Sequence, residues 1–166
     1  LIDGRDTPDP VFEAVARLDD ARVKARDLLF SGQVDQAVEH IESVVAALDE
    51  QFAAGDGVPR YFNSYADRVI YNHLFAIRDE RTVLIPDNLF YAHMELADAL
   101  AQLKGAKEAL PHLNRLVAYA PSYALSHLKL AVQLAREEDW DSVRAACLNA
   151  LRVSIDRADA GYAYYR

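Results

Sequence analysis

The segment from Leu89 to Ile155 repeats its own residue pattern after 34 positions, and this repeat constrains the fold more than any other feature. In this register His93 corresponds to His127, and Leu100 corresponds to Leu134. A fixed period of this length is typical of stacked helical hairpins, in which each unit buries its apolar side against its neighbours. The sequence therefore predicts an all-α fold, a helical-hairpin solenoid of about seven to eight helices.

The composition is that of a soluble globular protein, and it excludes several classes of partner. Apolar residues make up 52% and charged residues 27% of the 166 residues, which is ordinary for such proteins. The net charge of −8 argues against nucleic-acid and anionic-membrane partners, because both need a basic surface.

No apolar run approaches the roughly 18 residues that span a bilayer, and no signal-peptide pattern is present. A single cysteine, Cys147, fits a reducing, cytoplasmic location.

The first half of the chain predicts one clear hairpin and one degenerate unit. The hairpin covers residues 10–51, beginning at Pro10 and turning at Gly32, because proline favours a first helical position and glycine favours a turn. The degenerate unit covers residues 60–87. It contains an aromatic-rich helix from about Arg60 to Arg78 and an extended segment from Asp79 to Asp87, without a partner helix.

The second half predicts two regular repeats, at residues 88–121 and 122–155. Their helices are expected at 88–103, 106–119, 123–136 and 140–153, separated by turns at Gly105, Pro121 and the acidic run before Trp140. A partial helix would follow at 158–166. We expect residues 1–166 to form a single helical-repeat domain and to be part of a longer protein.

The repeats resemble the tetratricopeptide repeat family, whose units are 34-residue helical hairpins with small residues where the helices cross. Ala97 and Ala109 stand at the crossing positions of one repeat, and Ala131 and Val143 stand there in the next. Ala25 and Ala37 match the same phase in the first hairpin, and Pro121 stands at the family's terminal proline. The resemblance covers about two thirds of the chain and implies a right-handed α–α superhelix. Another α-hairpin solenoid is the alternative.

Two features depart from the family pattern. Histidine replaces the frequent aromatic residue near the start of the first helix, at His93 and at His127. The unit at 60–87 also fits poorly.

The resemblance implies that the first helix of each hairpin lines a concave groove for an extended peptide or an amphipathic helix. In that groove Lys129 and Arg136 could orient an acidic group. A clamp for a terminal carboxylate is not expected, because Met94 and Asp98 stand where a cation and an amide are needed. The predicted binding residues are Tyr91, Met94, Glu95, Asp98, Leu128, Lys129, Val132 and Arg136, with further contributions from Arg22, Arg26, Phe30, Gln102, Leu125 and Tyr162.

Catalytic and metal chemistry have little support in the sequence. His93 and His127 could approach each other across the stack, but two histidines without a cysteine or a carboxylate pair make a weak metal site, so packing roles are predicted. His40, His73 and His112 show no ligand-like spacing. The repeat register predicts an inert, core-facing Cys147. We therefore expect a non-enzymatic protein without a metal or cofactor.

The primary hypothesis is a protein-interaction scaffold, and two alternatives stay open. A sensor domain of a larger protein would bind a small ligand in a deep pocket formed by Tyr61, Tyr65, Tyr91 and Met94. An architectural protein would self-associate through its chain ends, by way of Tyr162, Tyr164 and Tyr165.

Overall fold

The structure is a computed structural model that describes residues 10–75 and 81–165, with side chains for residues 12–75 and 81–154. This part of the chain is mostly helical, as predicted. It contains seven helices and two short strands, which are α1 (Pro10–Phe30), α2 (Val34–Ala53), β1 (Val58–Arg60), α3 (Tyr65–Leu74), β2 (Thr82–Leu84), α4 (Asp87–Leu103), α5 (Ala106–Tyr119), α6 (Ala124–Arg136) and α7 (Trp140–Tyr165).

Six of the helices pack as consecutive pairs. The first pair is α1 with α2, the second is α4 with α5, and the third is α6 with α7. Both helices of the first pair contact α4, and α5 contacts α6. We call the contact between the first and second pairs the first interface, and the contact between the second and third pairs the second interface. Small residues lie where paired helices cross, and Ala25, Ala37, Ala97 and Ala109 are all buried.

The turn between paired helices requires a residue with positive φ. Gly32 has φ of 78° and Gly105 has φ of 105°, a conformation that glycine adopts without the steric cost of a Cβ atom. The third pair uses Glu138 instead, with φ of 59°. The helix bounds predicted for α4, α5 and α6 agree with the structure to within one residue.

The expectation of a purely helical fold is wrong at one place. Strand β1 pairs with β2 in parallel, with Pro59 opposite Val83. Gly57, just before β1, leaves room for the side chain of Val83, because a Cβ atom at residue 57 would overlap Cγ2 of Val83. Strands of three residues are too short to show an alternating pattern, so periodicity could not reveal them.

The predicted helix from Arg60 to Arg78 is shorter in the structure. Arg60 belongs to β1, and α3 begins only after Ser64, whose hydroxyl accepts a hydrogen bond from the Asp67 backbone N–H at 3.3 Å. Residues 76–80 lie outside the described residues. Helix α3 packs against α7, and the first pair contacts the second pair directly. The degenerate unit therefore does not separate the first and second pairs.

Two predictions about the last helix also need correction. Helix α7 continues to Tyr165, because neither proline nor glycine interrupts residues 154–158, so no separate helix begins near 158. Cys147 is exposed, although its counterpart Leu113 is buried. Leu113 lies on α5, which the third pair covers, whereas no later helix pair covers α7 in the part of the chain that the structure describes.

One apolar core extends through the first and second pairs, and its members include Leu18, Leu48, Phe90, Leu96 and Leu116. Among the described helices, none combines the length and the apolar character that a bilayer crossing would need.

Candidate functional site

Two ion pairs link helix α4 to α1 and to α6. Arg22 of α1 donates to Glu95 of α4 at 2.6 Å. Lys129 of α6 donates to Asp98, also of α4, at 3.2 Å. We call the side formed by α1, α4 and α6 the first-helix face, because each of these helices is the first of its pair.

The predicted binding residues of α4 and α6 differ in their exposure on this face. Tyr91, Leu128 and Val132 are exposed to 38%, 46% and 58%, whereas Met94 is half-buried and packs against the core. A surface with exposed apolar groups beside ion pairs suits a partner that itself presents both apolar and polar groups. On α1, Phe30 is still more exposed, at 85%.

The two cations expected to orient an acidic group already have partners within the chain. Lys129 is paired with Asp98, as described above. Arg136 donates to the carbonyl oxygen of Ala101 at 3.5 Å and to the side chain of Gln133 at 3.0 Å. An acidic ligand would therefore have to compete with these contacts, and the role expected for the two cations stays a prediction.

An aliphatic cavity of about 180 Å³ lies between α1, α2 and α4. Its lining includes Leu29, Val34 and Leu103, which are also exposed, so the cavity opens at the end where α1 and α4 terminate. Glu95 lies at its edge and connects it to the first-helix face. The volume is comparable to the roughly 150 Å³ of an apolar cavity that admits benzene. One branched or aromatic side chain could therefore occupy it.

The tyrosines considered for a small-ligand pocket pack in different ways. Tyr61 is buried and stacks on Phe90 with a centroid distance of 4.2 Å, and Tyr91 meets it edge to face at 6.1 Å. Burial and the hydrogen bond with Tyr91 raise the pKa of Tyr61. Tyr65 is exposed on α3. The side chains of Tyr162, Tyr164 and Tyr165 lie outside the described residues.

A chain of polar groups crosses the first interface. Asp49 of α2 is almost fully buried and accepts hydrogen bonds from the Tyr119 hydroxyl at 2.5 Å and from Nε2 of His93 at 2.9 Å. His93, only 2% exposed, meets His112 of α5 with its Nδ1 atom 2.9 Å from the Nδ1 of that ring. Nε2 of His112 then faces Oε1 of Glu42 on α2 at 3.4 Å.

The partners fix where the protons of this chain lie. Nε2 of His93 donates to Asp49, so in the neutral ring Nδ1 of His93 is an acceptor and receives the Nδ1 proton of His112. Nε2 of His112 is then unprotonated in the neutral ring, although it faces the carboxyl group of Glu42. Burial lowers the pKa of His112, and His93 lowers it further, whereas Glu42 and Asp49 oppose the shift. Burial, followed by the interaction with Asp49, raises the pKa of Tyr119.

The repeat register shows what replaces this chain at the second interface. The shift of 34 residues takes His93 to His127 and His112 to Ala146. His127, 4% exposed, bonds through Nε2 to the carbonyl oxygen of Pro121 at 2.7 Å. A cavity of about 280 Å³ adjoins His127 and Ala146.

The shift of 72 residues that aligns Ala25 with Ala97 extends this correspondence to α2 and α5. It takes Asp49 to Pro121 and Glu42 to Asn114, and Asn114 also lines the cavity of the second interface. The polar chain and the cavity therefore occupy equivalent places in the two interfaces.

The polar chain was not predicted from the sequence, because its histidines have no ligand-like spacing. One signal was available, since Asp49 interrupts an apolar stripe formed by Val45, Leu48 and Phe52 at helical spacing. His93 and His127, for which packing roles were predicted, are both buried, and the histidine that His93 meets is His112. Among the described residues, no group of three or more His, Cys, Asp or Glu side chains is arranged to hold a metal ion.

Comparisons with known protein families, with characterised proteins and with solved structures give no match for this chain.

Proposed function

We propose that this chain is a non-enzymatic protein-interaction module that binds an amphipathic helix or an extended peptide of a partner on the first-helix face. The observation that carries the proposal is the continuity of that face, in which Arg22–Glu95 joins α1 to α4 and Asp98–Lys129 joins α4 to α6. A segment bound there could contact three helices at once.

The packing of the helices in consecutive pairs supports the same proposal. We take this packing, together with the 34-residue repeat, as a tetratricopeptide-like arrangement, an architecture whose extended surfaces serve binding. Preformed helices reduce the ordering cost of association, so a few anchors can dominate affinity. The charged pairs on the face would set the orientation of the partner more than its affinity.

The first-helix face offers exposed apolar side chains and an aliphatic cavity with which a partner can make contacts. Leu128 and Val132 are exposed one helical turn apart on α6, and the aliphatic cavity opens between α1 and α4. The partner segment would therefore present bulky apolar residues on one side, with one of them entering the cavity.

Two variants with matched exposure test the face. Leu128→Asp with Val132→Asp changes α6, whereas Leu148→Asp with Leu151→Asp changes α7, where both leucines are 56% exposed. Peptides are first selected from a random displayed library with the wild-type protein, and their dissociation constants are then measured by calorimetry. We expect the α6 variant to lose at least tenfold in affinity, about 1.4 kcal/mol, and the α7 variant to bind like the wild type. A library that enriches no peptide, or peptides that the α7 variant fails to bind, would contradict the proposal.

The cavity is tested separately by filling it. Ala99 is half-buried and lines the cavity, so Ala99→Leu places additional methyl groups where the partner's anchor would lie. We expect weaker binding of peptides that carry a bulky apolar residue, without loss of thermal stability. Unchanged affinity for those peptides would leave the first-helix face intact as a proposal but remove the cavity from it.

A further inference from the structure

His127 at the second interface uses only one of its two ring nitrogens in hydrogen bonds with the described residues. Nε2 lies 2.7 Å from the carbonyl oxygen of Pro121, and a carbonyl can only accept, so Nε2 carries the proton. In the neutral ring Nδ1 is then an acceptor. Nδ1 makes no hydrogen bond within the described residues. It is not among the fully enclosed polar atoms without a partner, so it reaches open space although the residue as a whole is almost completely buried. An acceptor in this position is stabilised by a donor that enters the cavity which His127 lines.

The first interface shows which donor satisfies such a nitrogen. The equivalent Nδ1 atom, on His93, lies 2.9 Å from Nδ1 of His112 and accepts its proton. The residue equivalent to His112 at the second interface is Ala146, which lines the cavity beside His127. The second interface therefore keeps the acceptor of this hydrogen bond and lacks the ring that donates to it.

The rest of the cavity defines the charge and shape of a ligand. Among the residues whose side chains the structure describes, the lining contains no Asp, Glu, Lys or Arg, and its polar side chains besides His127 are Asn114, Ser142 and Asn149. Asn114 and Asn149 are exposed, so the cavity opens to solvent. Leu130 contributes an aliphatic wall, and the volume of about 280 Å³ is close to the lower limit of the roughly 300–1,000 Å³ typical of ligand sites.

We infer that the cavity at the second interface binds a small, neutral heteroaromatic molecule whose ring N–H donates a hydrogen bond to Nδ1 of His127. The ring takes the place that the imidazole of His112 fills at the first interface. Asn114 and Asn149 carry amide donors and acceptors for a second polar atom of the ligand. This site lies between α5, α6 and α7, it is separate from the first-helix face, and it does not depend on the proposed function.

Two isomeric probes separate the hydrogen bond from simple filling of space. 4-Methylimidazole is the side chain that Ala146 lacks, whereas 1-methylimidazole has the same atoms but no ring N–H. Each is titrated at about pH 9, well above the pKa of an imidazole ring, so that both probes are neutral, into protein labelled with ¹⁵N in its histidines. The measured quantity is the ¹⁵N shift of Nδ1 in His127. We expect 4-methylimidazole to change this shift saturably, with a dissociation constant on the order of 1 mM, and 1-methylimidazole to bind at least tenfold more weakly.

Closing the cavity provides the matched variants. Ala146→His should place the missing ring within the protein, and Ala146→Leu should fill the same space with an aliphatic group. Both are expected to keep the helical circular-dichroism spectrum and to abolish the saturable shift. If one of them fails to fold, the other decides.

Three results would overturn the inference. They are the absence of a saturable shift in the wild type, equal binding of the two isomers, and binding that persists when Ala146 is replaced in a folded variant.

Discussion

The first and second interfaces place a histidine at the same repeat position and surround it differently. At the first interface His93 is held between Asp49 and His112, so a connected polar chain fills the space between the helix pairs. At the second interface His127 bonds to a backbone carbonyl and borders a cavity. The repeat therefore places a histidine ring at the same position in both interfaces. The residues around the ring determine whether it joins a hydrogen-bonded chain, as at the first interface, or lines a cavity, as at the second.

This difference has energetic consequences. Buried polar groups that are all hydrogen-bonded strengthen and specify an interface, but removing one member leaves its partners unsatisfied. The side chains that line a cavity lack the van der Waals contacts that they would make in a filled core. We therefore expect the first interface to be more sensitive to the loss of a single polar side chain, and the second interface to gain from a ligand.

The largest effect that we predict concerns the helix crossing that carries His93 and His112. Ala109 is fully buried at this crossing, so Ala109→Arg would insert a large charged group without space or a partner. We expect a loss of about 4 kcal/mol in the free energy of unfolding. Val143 is the counterpart in the third pair and is only half-buried, so Val143→Arg should cost about half as much. Urea unfolding followed by circular dichroism measures both, and equal losses would refute the register on which the comparison depends.

The next effect removes the centre of the polar chain. Asp49→Ala leaves the Tyr119 hydroxyl and Nε2 of His93 without their acceptor, and we expect a loss of about 3 kcal/mol. Glu50 is the adjacent, exposed residue of α2, so Glu50→Ala serves as the control and should change the stability by less than about 0.5 kcal/mol. A similar small loss for Asp49→Ala would mean that the polar chain does not stabilise the first interface.

Much of the helical framework was predictable, because helix pairs leave a local signal. The bounds of α4, α5 and α6 follow from apolar spacing and from turn residues such as Gly105. The extended segment predicted at residues 79–87 contains β2. The parallel pairing was not predictable, since Val58–Arg60 and Thr82–Leu84 are three-residue elements that depend on contacts distant in sequence. Exposure of Cys147 also escaped prediction, because a repeat register transfers burial only where a neighbour covers both copies.

The first-helix face and the polar chain also differ in how far each could be predicted from the sequence. The residues of the first-helix face were named from the resemblance to tetratricopeptide repeats, position by position, and the structure joins α1, α4 and α6 through Glu95 and Asp98. The polar chain combines Asp49, His93 and His112 from three helices. One sequence gives no information about which of its polar residues meet across an interface, so only the interruption of an apolar stripe by Asp49 pointed toward it.

The third prediction concerns pH and tests the polar chain of the first interface. The pKa of His112 is lowered in the folded protein, whereas in the unfolded chain it is about 6.5. As the pH falls below about 6.5, the unfolded chain therefore binds a proton that the folded protein does not, and stability is lost until the pH reaches the folded pKa. Above about 6.5 this contribution is fully present. The slope cannot exceed about 1.4 kcal/mol per pH unit for one group.

The variant His112→Gln isolates this contribution from those of Glu42, Asp49, His93 and Arg115, which face or adjoin the ring. Stability is measured by urea unfolding at pH values from about 7.5 to about 5.5, the range around the pKa of an unperturbed histidine. We expect a shallower loss with falling pH in His112→Gln than in the wild type. His73 is exposed on α3, so His73→Gln should leave the wild-type slope unchanged, and an equal change in both variants would contradict the assignment to His112.

The smallest loss of stability that we predict concerns Arg115, a half-exposed charged side chain at the first interface. Nε of Arg115 lies 3.9 Å from Oδ2 of Asp49, and the Arg115 side chain is 45% exposed, so solvent screens most of the attraction. The shift of 34 residues takes Arg115 to Asn149, which lines the cavity of the second interface. Arg115→Asn therefore gives the first interface the side chain of the second, and we expect it to cost less than about 1 kcal/mol in urea unfolding. A loss as large as that of Asp49→Ala would mean that the guanidinium group, rather than Tyr119 and His93, holds the buried carboxyl group in place.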